Sequence, residues 1–308
     1  VSRLASFLIG PAYISAFHWR YLSNHVISNS LFLLPFLLFL FIPAVIKKKS
    51  FWPRAMLGGV GVGWAFLSGY AQVNIYALFL LFLFILCYSF FLARESKADF
   101  FKKSILFLIA ISFVGFIVGS PQILPSLVFT PETVRSGGLD YSVTTYKVVE
   151  PGDAILFLLP DYLYFPYLSS GRKPLYVTPL LFLISVCVIY VAWRRRSALD
   201  TAEASEADSS HELRLSSLVT TFSVLAIFSF IASIQWSPIF YAMNKLPVFS
   251  LFRFPYRWMY LGAWFFAVLG AIGLDALSSQ KVRGVFKKMY MWLLIPTGAL
   301  VVGIFAVN

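Results

Sequence analysis

Four groups of polar residues interrupt a mostly apolar chain at places where they can do chemistry. Arg253 and Arg257 stand four apart in LPVFSLFRFPYRWMY, directly before a long apolar run. On a helix they would share a face, although Pro255 between them works against an unbroken helix. Two guanidinium forks suit a phosphate, since each donates parallel hydrogen bonds. Snorkelling to a membrane surface is the plainer use of the same residues. Arg135, followed by Ser136-Gly137-Gly138, offers a third guanidinium beside backbone N–H groups, again a phosphate-binding pattern; a local Glu132–Arg135 pair on a solvated loop fits equally. Asp161 lies among aromatic residues in LLPDYLYFPYL, a setting for a base or a metal ligand. Arg172 and Lys173, a little further on, suit a lipid phosphate. Gln72 and Asn74 in SGYAQVN sit where two apolar segments meet. They are either ligand-binding amides or turn and cap residues around Gly69. Gln122, in GSPQILPSL, is a further amide at the exit of an apolar segment.

Other chemistries lack their residues. GVGVGW at 59–64 imitates a phosphate loop, but it lies inside an apolar segment and no Lys-Ser or Lys-Thr follows, so it reads as helix packing. There is no Ser-His-Asp arrangement and no HExxH, and His18, His25 and His211 are scattered. Cys87 and Cys187 each sit inside an apolar run and read as packed or lipid-facing thiols, not a disulfide. A divalent metal has no recognisable ligand set, so the cofactor stays open.

The elements that must position these groups are membrane helices. Of 308 residues, 59% are hydrophobic and 12% charged, against about a quarter charged in soluble domains, and the mean hydropathy is +0.81. A soluble core of this size cannot hide so much apolar surface, so the solvent is lipid. The net charge of +12 does not indicate nucleic acid, because the basic residues form short clusters between apolar runs. Nine segments are expected, at 4–18, 26–46, 55–69, 74–93, 104–120, 176–193, 215–234, 258–276 and 289–306. They make one all-α, polytopic transmembrane domain over residues 1–308. Pro35 and Pro43 predict a kink in the second segment; Gly58, Gly59, Gly61 and Gly63 predict close helix contact for the third.

The basic residues fall on alternate connections. Those that include Lys47–Lys49, Lys102–Lys103 and Arg194–Arg196 hold 17 of the 25, against 8 on the opposite set. By the positive-inside rule the first set is cytoplasmic, with residue 1 inside and residue 308 outside. The outer loop 121–175 carries seven prolines and many aromatic residues; its pieces 122–130 and 154–168 are expected to pack on the membrane domain as short interfacial helices. Residues 197–213, SALDTAEASEADSSHEL, read as a disordered cytoplasmic linker. The chain begins with Val and ends at an apolar run, which suggests a piece of a longer protein.

Taken in order, SGYAQ, SPQILPSL with VRSGG, YVTPLLFLI and LPVFSLFRFPYRWMYLGAWFFAVLGAIGLDAL resemble the YfhO-like family of bacterial membrane proteins, grouped with GT-C glycosyltransferases. The resemblance covers most of the chain, and the last motif is the most specific. It implies transfer of a sugar from a polyprenyl-phosphate donor, on the extracytoplasmic face, to a cell-envelope acceptor: a wall polymer, a lipid or a protein. A carboxylate base would activate the acceptor, and cations would stabilise the leaving phosphate. GT-C enzymes usually carry that carboxylate in their first outer loop. Here the first outer loop is HWRYLSN, with no acid, so the family's carboxylate is expected upstream. The implied partners are membrane lipids, the lipid-linked donor and the acceptor. A transporter or flippase, and a non-catalytic scaffold subunit, remain as rival readings. The carrier would need polar groups near the bilayer midplane.

Overall fold

The structure, a computed structural model, describes residues 30–92, 94–133, 136–144, 184–190, 206–234, 237–246, 248–253 and 255–276. Every regular element among them is helical. The main helices are α1 (Leu33–Phe41), α2 (Phe51–Leu67), α3 (Ala71–Phe91), α4 (Arg94–Phe129), α5 (Tyr141–Thr144), α6 (Glu206–Ser233), α7 (Pro238–Asn244) and α8 (Arg257–Ala276). Residues 184–190 are also helical. Four stretches are long and apolar enough to cross a membrane: Ala71–Phe91, Lys97–Glu132, Leu215–Ser233 and Arg257–Asp275. They match the expected segments 74–93, 104–120, 215–234 and 258–276. Segments 26–46 and 55–69 form shorter helices, 176–193 is described only at 184–190, and 4–18 and 289–306 lie outside the described residues.

The kink expected in the second segment is a π turn. Pro35 falls in the first turn of α1, where a missing N–H costs nothing. Pro43 falls in the π turn Ile42–Ile46, closed by Lys47 N donating to Ile42 O at 3.0 Å. Lys48 and Ser50 then adopt φ of 53° and 46° and reverse the chain into α2.

Two expectations are corrected. Residues 122–130 do not form a separate interfacial helix packed on the domain. α4 runs unbroken through Pro121 and Pro125 to Phe129, about 54 Å at 1.5 Å per residue, and residues 124–129 are exposed. Pro121 would have bonded Ile117 O had it an N–H; the Ser120 hydroxyl donates to that carbonyl instead, at 2.9 Å. The Ser126 and Thr130 hydroxyls donate to the carbonyls of Gln122 and Ser126, further side-chain bonds along this end of the helix. The linker 197–213 is also not wholly irregular, since α6 begins at Glu206. The piece 154–168 lies outside the described residues.

The helices pack as two tight pairs bridged by α3. α2 and α4 run parallel: a Cβ at Gly59 would meet Val114, one at Gly63 would meet Val118, and one at Gly115 would meet Val62. This is the close contact that the glycine spacing predicts. α6 and α8 run antiparallel, with Ser229 against Gly262 and Phe222 against Phe265. α3 opposes α6 through Phe79–Phe228 and Phe84–Phe222. The Lys47–Ser50 turn meets the start of α4, where Asp99 pairs with Lys48 at 3.0 Å and Lys103 at 3.1 Å. The α2–α3 turn meets the start of α8 at the opposite end. Phe113, Phe90 and Trp64 point outward, 66%, 76% and 65% exposed, an apolar exterior of the kind lipid covers. By these helices the chain is a helical membrane protein.

Candidate functional site

The site is built at the end of the bundle where α3 and α8 start. Gly69 takes φ of 81° with open space around it, so the chain reverses between α2 and α3 without strain. The turn is tied down by hydroxyls and one amide. Ser68 Oγ donates to Ala65 O at 2.6 Å and lies 3.3 Å from Ser30 Oγ. Asn74 Nδ2 donates to Ala65 O at 2.7 Å. Asn74 therefore has the turn-and-cap role, holding the last turn of α2.

Gln72 has a different role. It is buried in the first turn of α3. Its Nε2 donates to Tyr76 Oη at 2.9 Å and to Arg253 O at 2.5 Å. Its Oε1 accepts from an Arg257 terminal nitrogen. One amide thus joins α3 to a backbone carbonyl and a guanidinium 181 and 185 residues away. A glutamine amide has two N–H donors and one carbonyl acceptor, and here both ends are used.

Arg257 is only 9% exposed. Its guanidinium lies 4.8 Å from the Tyr70 ring centre and 5.9 Å from that of Tyr256, within cation–π range. Arg253 is half-buried, and its Nε is buried with no hydrogen-bond partner among the described residues. An unpartnered buried donor costs about 1–3 kcal/mol. The floor beneath is aromatic. Trp258, fully buried, stacks on Tyr76 at 3.9 Å and meets Phe79, Phe228 and Phe249 at 5.9, 5.7 and 6.3 Å. Tyr76 also meets Phe252 edge-on at 5.9 Å. Such a floor excludes water and strengthens any charge interaction above it.

The expected site residues are therefore partly brought together. Gln72, Arg253 and Arg257 form one cluster. Gln122 lies outside it, exposed on the C-terminal third of α4. Arg135 and Asp161 lie outside the described residues. Tyr70, Tyr76 and Trp258 belong to the same cluster and were not singled out from the sequence. The available signal was spacing: Tyr76 follows Gln72 by four on a helix, and Trp258 adjoins Arg257.

The neighbours of Arg135 reach the same end of the molecule. Gly137 and Gly138 take φ of 93° and 92°. Leu139 N donates to Ser250 O at 2.9 Å. Tyr141 packs edge-on to Tyr241 at 5.4 Å; burial, with Tyr241 beside it, pushes its phenol up from the ordinary tyrosine value. The turn 136–141 is thus docked on the 237–252 segment that leads to Arg253. Among the described residues no three His, Cys, Asp or Glu side chains gather around a possible metal position. No protein-family model matches the chain, and no curated protein and no solved structure matches it significantly.

Proposed function

We propose that this membrane protein belongs to the YfhO-like, GT-C kind of glycosyltransferase, and that Gln72, Arg253 and Arg257 seat the phosphate of a polyprenyl-phosphate-linked sugar. In that reaction the acceptor oxygen bonds to the sugar's anomeric carbon. The bond from that carbon to the phosphate oxygen breaks, and the phosphate leaves with the electron pair. The acceptor's proton passes to a carboxylate. The cations of this site would take up the charge that develops on the leaving phosphate. The site's end is read as extracytoplasmic from the distribution of Lys and Arg, which gives the headgroup depth and the side where no nucleotide sugar is available.

The observation that carries the reading is one buried amide that holds the Arg257 guanidinium and the Arg253 backbone carbonyl above an aromatic floor, with Arg253 Nε buried and unsatisfied among the described residues. An anion there would complete the hydrogen bonding of Arg253. The charge distribution also weighs against an ion-coupled carrier. α3 has no charged residue, and the charged residues within α4 and α8 sit near the helix ends, away from the midplane where a carrier would need them.

The test is donor turnover by the full-length protein, normalised to the amount in the membrane. Each charge-assisted bond is worth about 1.5–3 kcal/mol. Arg253→Ala and Arg257→Ala should therefore lower turnover about tenfold or more, with Lys at either position restoring only part. Normal turnover in both alanine variants would remove the phosphate seat. Full rescue by Lys would leave surface anchoring as the role.

A further inference from the structure

A second polar feature opens two residues from Arg253. The Gly137–Asp140 turn and the Asn244–Leu251 segment enclose a solvent-open cavity of about 560 Å³, lined by Gly137, Gly138, Asp140, Asn244, Lys245 and Ser250 among others. This volume lies within the ~300–1,000 Å³ of small-molecule sites. Its walls are held by backbone and ring contacts. Leu139 N donates to Ser250 O, and Tyr141 packs on Tyr241 and Phe240. The Asp140 carbonyl accepts from Val143 N and Thr144 N at 3.0 Å each, which anchors Asp140 at the start of α5.

Two polar groups of the lining, on Asp140 and Asn244, are unspent among the described residues. The Asp140 carboxylate makes no hydrogen bond or ion pair among the described residues, and Asn244 Oδ1 is buried with no hydrogen-bond partner there. Lys245 lies over the Tyr241 ring, 4.5 Å from its centre. We propose that this cavity binds a neutral, hydroxyl-rich ligand of the sugar class. A carboxylate accepts two hydrogen bonds from neighbouring hydroxyls of a sugar ring, and the Asn244 amide and backbone groups suit the remaining hydroxyls. An anion is disfavoured by Asp140. A zwitterion would have to draw Lys245 off its ring and would leave the neutral groups unused. The ligand's role as the acceptor rests on the transfer proposed above; its binding does not.

The experiment uses the full chain in lipid nanodiscs and saturation-transfer NMR, with methyl glycosides of glucose, galactose, mannose and N-acetylglucosamine as probes. Inorganic phosphate, read by its competition with the glycosides, and phosphoethanolamine are the comparison ligands. At least one glycoside should bind saturably. Asp140→Ala and Asn244→Ala should each weaken it about tenfold or more, without lowering the melting temperature in the case of the exposed Asp140. Arg257→Ala should leave glycoside binding intact while it lowers donor turnover, so the two readings can fail separately. No saturable glycoside signal, binding indifferent to both cavity variants, or preference for phosphate or phosphoethanolamine would each overturn the proposal.

Discussion

The α2–α4 pair and the α3–α8 corner solve the same problem, holding helices together where lipid offers no hydrophobic drive, in opposite ways. The α2–α4 seam removes side chains. Gly59, Gly63 and Gly115 leave hollows that Val114, Val118 and Val62 fill, and the outer faces of both helices are apolar and exposed. The corner adds side chains. A glutamine, a tyrosine, an arginine and a tryptophan are buried where α3 meets α8. A seam of the first kind needs nothing beyond shape. A corner of the second kind carries polar atoms whose burial is unfavourable unless partners are found, and at Arg253 Nε the described residues do not provide one. The two pairs thus differ in what their burial demands: shape at the seam, polar partners at the corner.

The largest expected effect concerns which side the corner faces. Single cysteines at Ser142 and Ser205 should label in an all-or-none, opposite manner with an impermeant reagent in sealed cells. Equal labelling would detach the corner from the outer face. Next is Trp258→Ala, which should cost about 3–5 kcal/mol of stability, because the ring is fully buried against α3, α6 and the 249–251 turn. Thermal unfolding in detergent measures it, and a loss below that range would mean the floor is not the fold's keystone.

At the seam, Gly59→Ala would bring a Cβ within 2.5 Å of Val114 Cβ. Valine is stiff in a helix, so overpacking of about 1–3 kcal/mol should outweigh the helix-propensity gain of about 1 kcal/mol. The net loss is about 0–2 kcal/mol, and an increase in melting temperature would show that the pair can spread. The smallest expected change, and the sharpest comparison, is Gln72→Glu. A carboxylate beside Arg257 keeps that bond and can accept from the Tyr76 hydroxyl, but it has no N–H for the Arg253 carbonyl, so stability should fall by about one hydrogen bond, about 0.5–1.5 kcal/mol. The carboxylate also occupies the guanidinium, so donor turnover should drop about tenfold. Unchanged turnover would make the corner a seam of polar residues and nothing more.

The membrane class and the four long apolar helices were legible because they follow from local quantities: apolar run length and helical period. The glycine seam was legible for the same reason, since its spacing sits on one helix. Arg253 and Arg257 could be singled out from their position before an apolar run, and Gln72 from its place in a turn. What no local pattern holds is that these three meet. Contacts across 181 and 185 residues depend on which helices neighbour one another, and packing alone decides that. The course of α4 through Pro121 and Pro125 was hidden as well, because whether a proline ends a helix depends on whether a nearby hydroxyl reaches the freed carbonyl, as Ser120 does for Ile117. The sequence by itself therefore determined a bundle of apolar helices with polar residues gathered at its ends. Only the tertiary structure decided that one of those ends joins Gln72 to two arginines over a tryptophan floor, because burying a guanidinium requires partners that only the folded chain brings within reach.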